Sequence, residues 1–388
     1  MPWQGVTPVD LRLAFNRAYQ LGLCSMTELC EQYGISRKTG YKWVARYEAD
    51  GRGGLVDRSR RPHHSPRATE PEIVEQLCAA RRRHPTWSAR KLIAVLRRQH
   101  PDVAWPTRST GCDLLRANGL VRVRRRRDRV RAPAAPLAPI TRPNEVWTTD
   151  FKGEFRTGDG QYCYPLTLRD GFSRYVLRCD ALLTKRGDMV RARFARAFAE
   201  YGLPDRIRSD NGGPFAATGL TRLSHLSVWW IRLGIQPERI ALGHPEQNGS
   251  HEQFHRVLKA ETTRPPAPHA TAQQQRFRRF CVEYNEERPH EALQDRAPAS
   301  CYTPSRRSLP ARLAPLEYPG HMEVRRVSPI GQVSWRGRPL YLTEVLGGEP
   351  VAFEEVDDGI WMLYFARVRI ARFNERTRTL TAVPPYAS

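Results

Sequence analysis

No apolar run in the 388-residue chain approaches the roughly 20 residues needed to cross a bilayer. The opening MPWQGVTPVD lacks a basic start followed by an apolar stretch, so no signal peptide is expected. Eight cysteines (Cys24, Cys30, Cys78, Cys112, Cys163, Cys179, Cys281 and Cys301) are scattered without a CxxC pair. That pattern favours a reduced, cytosolic chain over a disulfide framework or a His/His/Cys/Cys zinc module. No GxxxxGK[ST] stretch is present, so no nucleotide cofactor is expected. Acids are scarce as well: 40 Asp and Glu face 63 Lys and Arg, a formal charge of +23 with a pI near 10.3. An excess of that size points to a polyanionic partner, because Lys and Arg contacts to phosphate supply most non-specific affinity for DNA. By charge alone RNA, an acidic membrane or a merely basic surface fits equally well, so the motifs must decide.

The length exceeds what one core fills and predicts roughly two to four domains. Thr7-Pro8 can start a helix with Leu11, Phe15, Ala18 and Leu21 on one face. Ser25 and Glu28 form a capping box for a second helix. After a turn at Gly34, Ser36 caps a third helix bearing Arg37, Lys38, Tyr41 and Lys42. Helix, glycine turn and basic helix over 1–50 look like a helix-turn-helix whose last helix enters the major groove, although a plain three-helix bundle has the same pattern. Gly40 inside that helix costs about 1 kcal/mol of helix propensity against Ala.

Residues 51–70 are rich in Gly, Arg and Pro and read as a linker. A second helical unit over 71–120 looks like a related helix-turn-helix in which Arg108 and Arg116 would face DNA, and plain structural helices again fit its periodicity. Residues 121–143 are a basic and Pro-rich tether, with Arg124, Arg125, Arg126 and Arg127 tracking phosphates.

From Asn144 short runs of aromatic and β-branched residues replace the helical period. Three predicted strands, Val146–Phe155, Tyr162–Arg169 and Arg174–Ala181, are followed by alternating helices and strands: Lys185–Tyr201, Asp205–Ser209, Leu220–Leu233, Gln236–Leu242, Asn248–Glu261 and Gln273–Glu287. After a linker at 304–319, short strands between Gly turns over 320–388 suggest a small β-barrel.

Three stretches in this region each carry one acid: VWTTDFKGEF at Val146–Phe155, RSDNGGPF at Arg208–Phe215 and GHPEQNGSHEQFHRVLK at Gly243–Lys259. In this order, and with YNEERPHEAL ending at Leu293, they resemble the core of DDE transposases and retroviral-type integrases, and most of all the integrase-core transposases of bacterial insertion sequences. The resemblance covers roughly Pro143–Thr303. It implies a ribonuclease-H-like α/β core at 144–303, a mixed five-stranded sheet with helices, preceded by helix-turn-helix modules and followed by a small all-β barrel. It assigns Asp150, Asp210 and Glu252 as catalytic, metal-holding carboxylates for two Mg²⁺ (or Mn²⁺) ions, with Asn211 and His251 beside them. Hard cations take carboxylate oxygen, and two of them clamp the entering and leaving oxygens of a phosphodiester.

Glu246 competes with Glu252, since many family members separate the last two acids by 36 positions and Asp210 to Glu246 fits that count. The wording Gly249-Ser-His-Glu252 before a basic, aromatic run favours Glu252, with the extra length placed in Ala216–Leu226. On a helix Glu252, Arg256 and Lys259 share one stripe, which would set cations beside the metal site and the DNA. The resemblance further implies terminal inverted repeats and target DNA as partners, a dimer or tetramer on paired ends, and a cytoplasmic, nucleoid-associated bacterial location. Two rivals stay open: a catalytically silent helix-turn-helix regulator, and a structure-selective nuclease on the same core.

Overall fold

The computed structural model describes residues 7–59, 68–121, 139–240 and 249–383. These fall into two compact units, Met1–Ala68 and Thr69–Ser388. Among the described residues no helix is long and apolar enough to cross a membrane.

The first unit holds α1 (Pro8–Gln20), α2 (Met26–Gln32), α3 (Arg37–Asp50) and a 3₁₀ turn at Gly51–Leu55. Its helices start where local chemistry requires. Thr7 caps α1 with Pro at the first turn, Ser25 and Glu28 close a reciprocal capping box on α2, and Ser36 caps α3. The buried set is Phe15, Met26, Leu29, Cys30 and Val44. Leu11 and Leu21, expected on the inner face of α1, are instead 49% and 69% exposed. From α1 this core takes Phe15, fully buried, with Ala18 and Tyr19 packed against it. Gly40 also has a reason. A Cβ there would lie 2.7 Å from Cys30 Sγ and 2.9 Å from Met26 Sδ, so the glycine lets α3 pack tightly on α2.

The second unit opens with α4 (Pro71–Arg83), α5 (Ala89–Gln99) and α6 (Arg108–Ala117), packed around Leu77, Trp87, Leu92, Trp105 and Leu115. The mixed sheet follows, from β1 (Val146–Phe151), the short β2 (Phe155–Arg156), β3 (Tyr162–Asp170), β4 (Val176–Leu182), β5 (Arg206–Ser209) and β6 (Gln236–Arg239). Its long strands lie in the order β4-β3-β1-β5-β6, with β2 paired on β3. β1, β3 and β4 are antiparallel neighbours, whereas β5 and β6 run parallel to β1.

Four helices cover the sheet: α7 (Gly187–Tyr201), α8 (His225–Arg232), α9 (Gly249–Thr262) and α10 (Ala270–Glu286). Because strand side chains alternate between faces, β1 sends Trp147 into the core under α7 and α8. It sends Thr148 and Asp150 the other way, toward α9. α8 starts at His225 rather than at Leu220, since Ser224 and Ser227 cap each other's ends there. It is buried all round because Trp229 and Trp230 face the sheet while Val228 and Ile231 face the C-terminal strands.

Those strands are β7 (Glu323–Arg326), β8 (Gln332–Trp335), β9 (Arg338–Tyr341), β10 (Pro350–Asp357), β11 (Ile360–Phe365), β12 (Val368–Asn374) and β13 (Thr379–Thr381). Among the described residues they form a five-stranded antiparallel sheet, β13-β12-β11-β10-β7, and a separate β8–β9 hairpin around Trp335. The region is all-β, with two sheets in place of one hydrogen-bonded closure.

Candidate active site

Asp150 lies near the end of β1, and Asp210 follows β5 directly. Because these neighbouring strands run parallel, both acids lie at one end of the sheet. The Asp210 carboxylate accepts from the Gly212 amide at 3.2 Å, and a Cβ on Gly212 would stand 3.1 Å from its Oδ2. The turn is held from below by Asn211, whose Nδ2 donates to the Ile240 carbonyl at 2.9 Å. Glu252 sits in the first turn of α9 and is exposed, as are Arg256 and Lys259. Phe254 and Leu258 on the same helix are buried against α10. The alternation of charged and apolar positions along α9 thus fixes which side meets solvent.

Asp150 feels both other acids. Its pKa is pushed up to about 7, first by burial, then by the charge of Asp210, with Glu252 adding to it. Lys152 and the Phe151 amide oppose that rise. Burial and the nearby Lys259 in turn lower the pKa of Lys152. The three carboxylates therefore form one electrostatic neighbourhood edged by lysines. Among the described residues no group of three or more His, Cys, Asp or Glu is gathered tightly enough to hold a metal ion. The donor set nonetheless fits a hard divalent cation: three carboxylates supply oxygen, and the repulsion that raises Asp150 is what such an ion would relieve.

Beneath the acids lies a buried polar network. Asp150 faces Thr167 across the β1–β3 pair. Thr167 Oγ1 donates to the Asp150 carbonyl at 2.9 Å and meets His251 Nε2 at 2.7 Å and His255 Nε2 at 2.8 Å. His251 Nδ1 lies 2.9 Å from Thr148 Oγ1. His255 Nδ1 lies 3.6 Å from Asp150 Oδ2. Burial holds both imidazoles neutral, lowering His255 to about 3 and His251 well below the ordinary range.

His251 is thus buried beneath the acids, on Thr167 and Thr148. Thr167, His255 and Lys152 carry the same neighbourhood and were missed. The available signal was His251 and His255 four apart on a helix that also bears an acid.

The remaining expected residues are placed as follows. Arg37, Lys38, Tyr41 and Lys42 are exposed on α3, and Arg108 is exposed at the start of α6. Arg116 is ion-paired with Asp113. Arg124, Arg125, Arg126, Arg127 and Glu246 lie outside the described residues.

A mixed sheet of this order, with acids at the ends of its two central parallel strands and a third on the following helix, is that of an integrase-core protein. Family models agree. "Integrase core domain" matches residues 140–245 and, in a second form, 233–298. "Leucine-zipper of insertion element IS481" matches 6–83, and "IS481 family transposase, C-terminal domain" matches 322–381. Within 6–83 the described helices are separate pieces of 13, 7, 14 and 13 residues. The insertion element IS407 uncharacterized 31.7 kDa protein of Burkholderia multivorans is 31% identical over 191 residues, 48% of this chain and 65% of that relative. The chain therefore spans just under two thirds of that relative's length.

Solved structures with lower similarity include a chain of the simian T-cell lymphotropic virus intasome in complex with PP2A regulatory subunit B56 gamma, at 15% identity and TM-score 0.38, covering 72% of this chain and 93% of that one. The HTLV-2 integrase catalytic core domain in complex with magnesium matches at 15% identity and TM-score 0.30, covering 42% of this chain and 97% of that one. The BIV integrase catalytic core matches at 18% and 0.32, covering 41% and 93%. By these matches the chain carries an integrase core domain and is similar to insertion-sequence transposases of the integrase superfamily.

Proposed function

We propose that the protein is an active DNA transposase of a bacterial insertion sequence, which binds the element's terminal inverted repeats, nicks DNA to expose 3′-OH ends and joins those ends to target DNA. The observation that carries this reading is Asp150, half-buried at the end of the sheet, its pKa raised first by burial and then by the charge of Asp210, with a smaller push from Glu252. Two carboxylates from adjacent strand ends and one from a helix make a donor set of oxygens only. Asp150, Asp210 and Glu252 would hold Mg²⁺ or Mn²⁺, two per site. When bound, these ions supply the Lewis acidity that activates an attacking oxygen and offsets charge on a leaving one.

The chain's own groups bind and orient the substrate. Lys152, Arg256 and Lys259 receive phosphates next to the acids. The Gly212 amide and the Asn211 side chain hold the turn that presents Asp210. The basic faces of α3 and α6, with Arg37, Lys38, Tyr41, Lys42 and Arg108, grip the repeats, and Arg124 to Arg127 track the backbone between modules. This reading divides the chain into recognition modules at 1–50 and 71–120, a catalytic core at 144–303 and a C-terminal module at 320–388. Two DNA ends must be paired, so the working form is a homo-oligomer.

The test is to incubate purified protein with labelled terminal-repeat DNA, a target plasmid and Mg²⁺, and to look for nicked and joined products. Binding without cleavage would make it a regulator. Cleavage of any branched DNA without joining would make it a nuclease.

A further inference from the structure

The helical unit α4–α6 docks on the core through charged side chains. Acids are the minority in this chain, 40 against 63 bases, yet four of them on the core turn toward this one unit. At the end of α4, His84 Nδ1 meets Glu283 Oε1 of α10 at 2.8 Å. Thr86 Oγ1 donates to Glu261 in the last turn of α9. Arg288, just beyond α10, donates to the same carboxylate at 2.9 Å, and its guanidinium carbon lies 5.6 Å from the centre of the Trp87 ring. In the first turn of α5, Arg90 Nε donates to Asp295 at 2.9 Å, and the same guanidinium pairs with Glu291.

Exposed ion pairs contribute little, so shielding decides whether this contact holds. The Arg288 and Glu261 side chains are 5% and 17% exposed, and those of Arg90 and Asp295 are 31% and 28%. The solvated pair Arg116–Asp113, at 67% and 69%, is the contrast. Glu261 ends the helix that Glu252 begins, so α9 carries an acid of the site at one end and the docked unit at the other. On the far side α6 is seated tightly on α5, where a Cβ on Gly111 would stand 2.7 Å from Ile93 Cδ1. Packed contacts thus run unbroken from α6, with its exposed Arg108, through α5 to the core acids. We propose that this contact sets the register of the cut: Arg90 and Glu261 fix the distance between the DNA read by α6 and the bond broken at Asp150. The proposal rests on reading α6 as a DNA-reading helix and the acids as the nicking site. Both are positioning residues, and neither faces the DNA.

The test maps nicks at nucleotide resolution on end-labelled terminal-repeat DNA, with the full chain and Mg²⁺. Wild-type protein should nick at one bond. Arg90→Glu should keep repeat binding within about 2-fold, because Arg90 faces core acids rather than phosphates. Nicks at neighbouring bonds should rise about 10-fold relative to the main one, the scale of one lost charge-assisted hydrogen bond. Adding Glu291→Arg, which restores opposite charges across the contact, should move nicks back to the main bond. A second arm changes only the DNA and stands even if Arg90→Glu does not fold. Two base pairs are inserted between the main bond and the segment whose protection depends on Arg108. Wild-type protein should then cut two positions away from the old bond, at the original distance from that segment. A cut that stays at the old bond would overturn the proposal. So would an unchanged nick pattern in folded Arg90→Glu, or a uniform loss of nicking at an unchanged bond, since a merely structural role alters rate and not register. No nicking by wild-type protein at all would instead remove the reading of the acids, and the proposal with it.

Discussion

The Thr167 hydroxyl donates to the backbone carbonyl of Asp150 at 2.9 Å, and the same oxygen is met by two imidazoles 84 and 88 positions further along the chain. One side chain thus ties the strand that carries the first acid to the helix that carries the third. Thr167→Val keeps the shape and removes the hydroxyl from two buried imidazole nitrogens and the Asp150 carbonyl. It should cost about 1–3 kcal/mol of stability by chemical denaturation. Thr167→Ser, which keeps the hydroxyl, should cost less. A valine variant as stable as wild type would show that the network is not closed.

Asp150→Asn and Asp210→Asn should each lower nicking and joining by about 10³-fold or more, while terminal-repeat binding stays near wild type. Removing a metal ligand disables chemistry, whereas affinity comes from many phosphate contacts elsewhere. Gel-shift and strand-transfer assays on the same preparations check this. Loss of DNA binding in a folded variant would contradict the separation of roles.

Glu252→Gln should be as inactive as the two Asp variants, and Glu246→Gln should keep substantial activity. The charge change is the same in both, so general electrostatics cannot separate them. Glu252 lies in the first turn of α9 and its charge reaches Asp150. The opposite ranking in a strand-transfer assay would transfer the third carboxylate to Glu246.

Gly40→Ala offers a clean conflict between propensity and packing. Propensity alone predicts about 1 kcal/mol of stabilisation for an alanine within α3. The new methyl would press on Cys30 Sγ and Met26 Sδ at 2.7 and 2.9 Å, with Phe15 at 3.1 Å behind them. Overpacking of that kind costs about 1–3 kcal/mol. The net should therefore be destabilising, read as a lower Tm.

Asp150 should make the metal-free protein less stable as pH rises. Its folded pKa of about 7 lies above the ordinary value of 3.8, so between the two the folded state holds a proton that the unfolded chain releases. This penalty grows from about pH 4 and is complete above about pH 7, at most roughly 4 kcal/mol. Asp150→Asn should thus be more stable than wild type in EDTA at pH 8, with the gap closing toward pH 4. Added Mg²⁺ should raise the wild-type Tm at pH 8 and leave the Asn variant unmoved. A wild-type advantage at pH 8 in EDTA would mean that Asp150 is not held among like charges.

The sequence by itself determined the features that depend on neighbours three or four residues away. Thr7 with Pro8, the Ser25–Glu28 box and the Ser36 cap start α1, α2 and α3 as read, because a cap is satisfied within its own first turn. The charged stripe of α9 was legible for the same reason. The start of α8 was misread at Leu220 because its apolar residues run on both sides and hide the Ser224 cap. Only the tertiary structure decided which partners meet at a distance. Leu11 and Leu21 stay exposed because Phe15, with Ala18 and Tyr19, fills the α1 side of the small core, and Gly40 is needed because α3 presses on α2. His255 reaches Asp150, and His251 reaches Thr148, only because α9 packs across β1 and β3. Local pattern specifies a face of an element, and the opposing face that meets it is set by burial summed over the whole core.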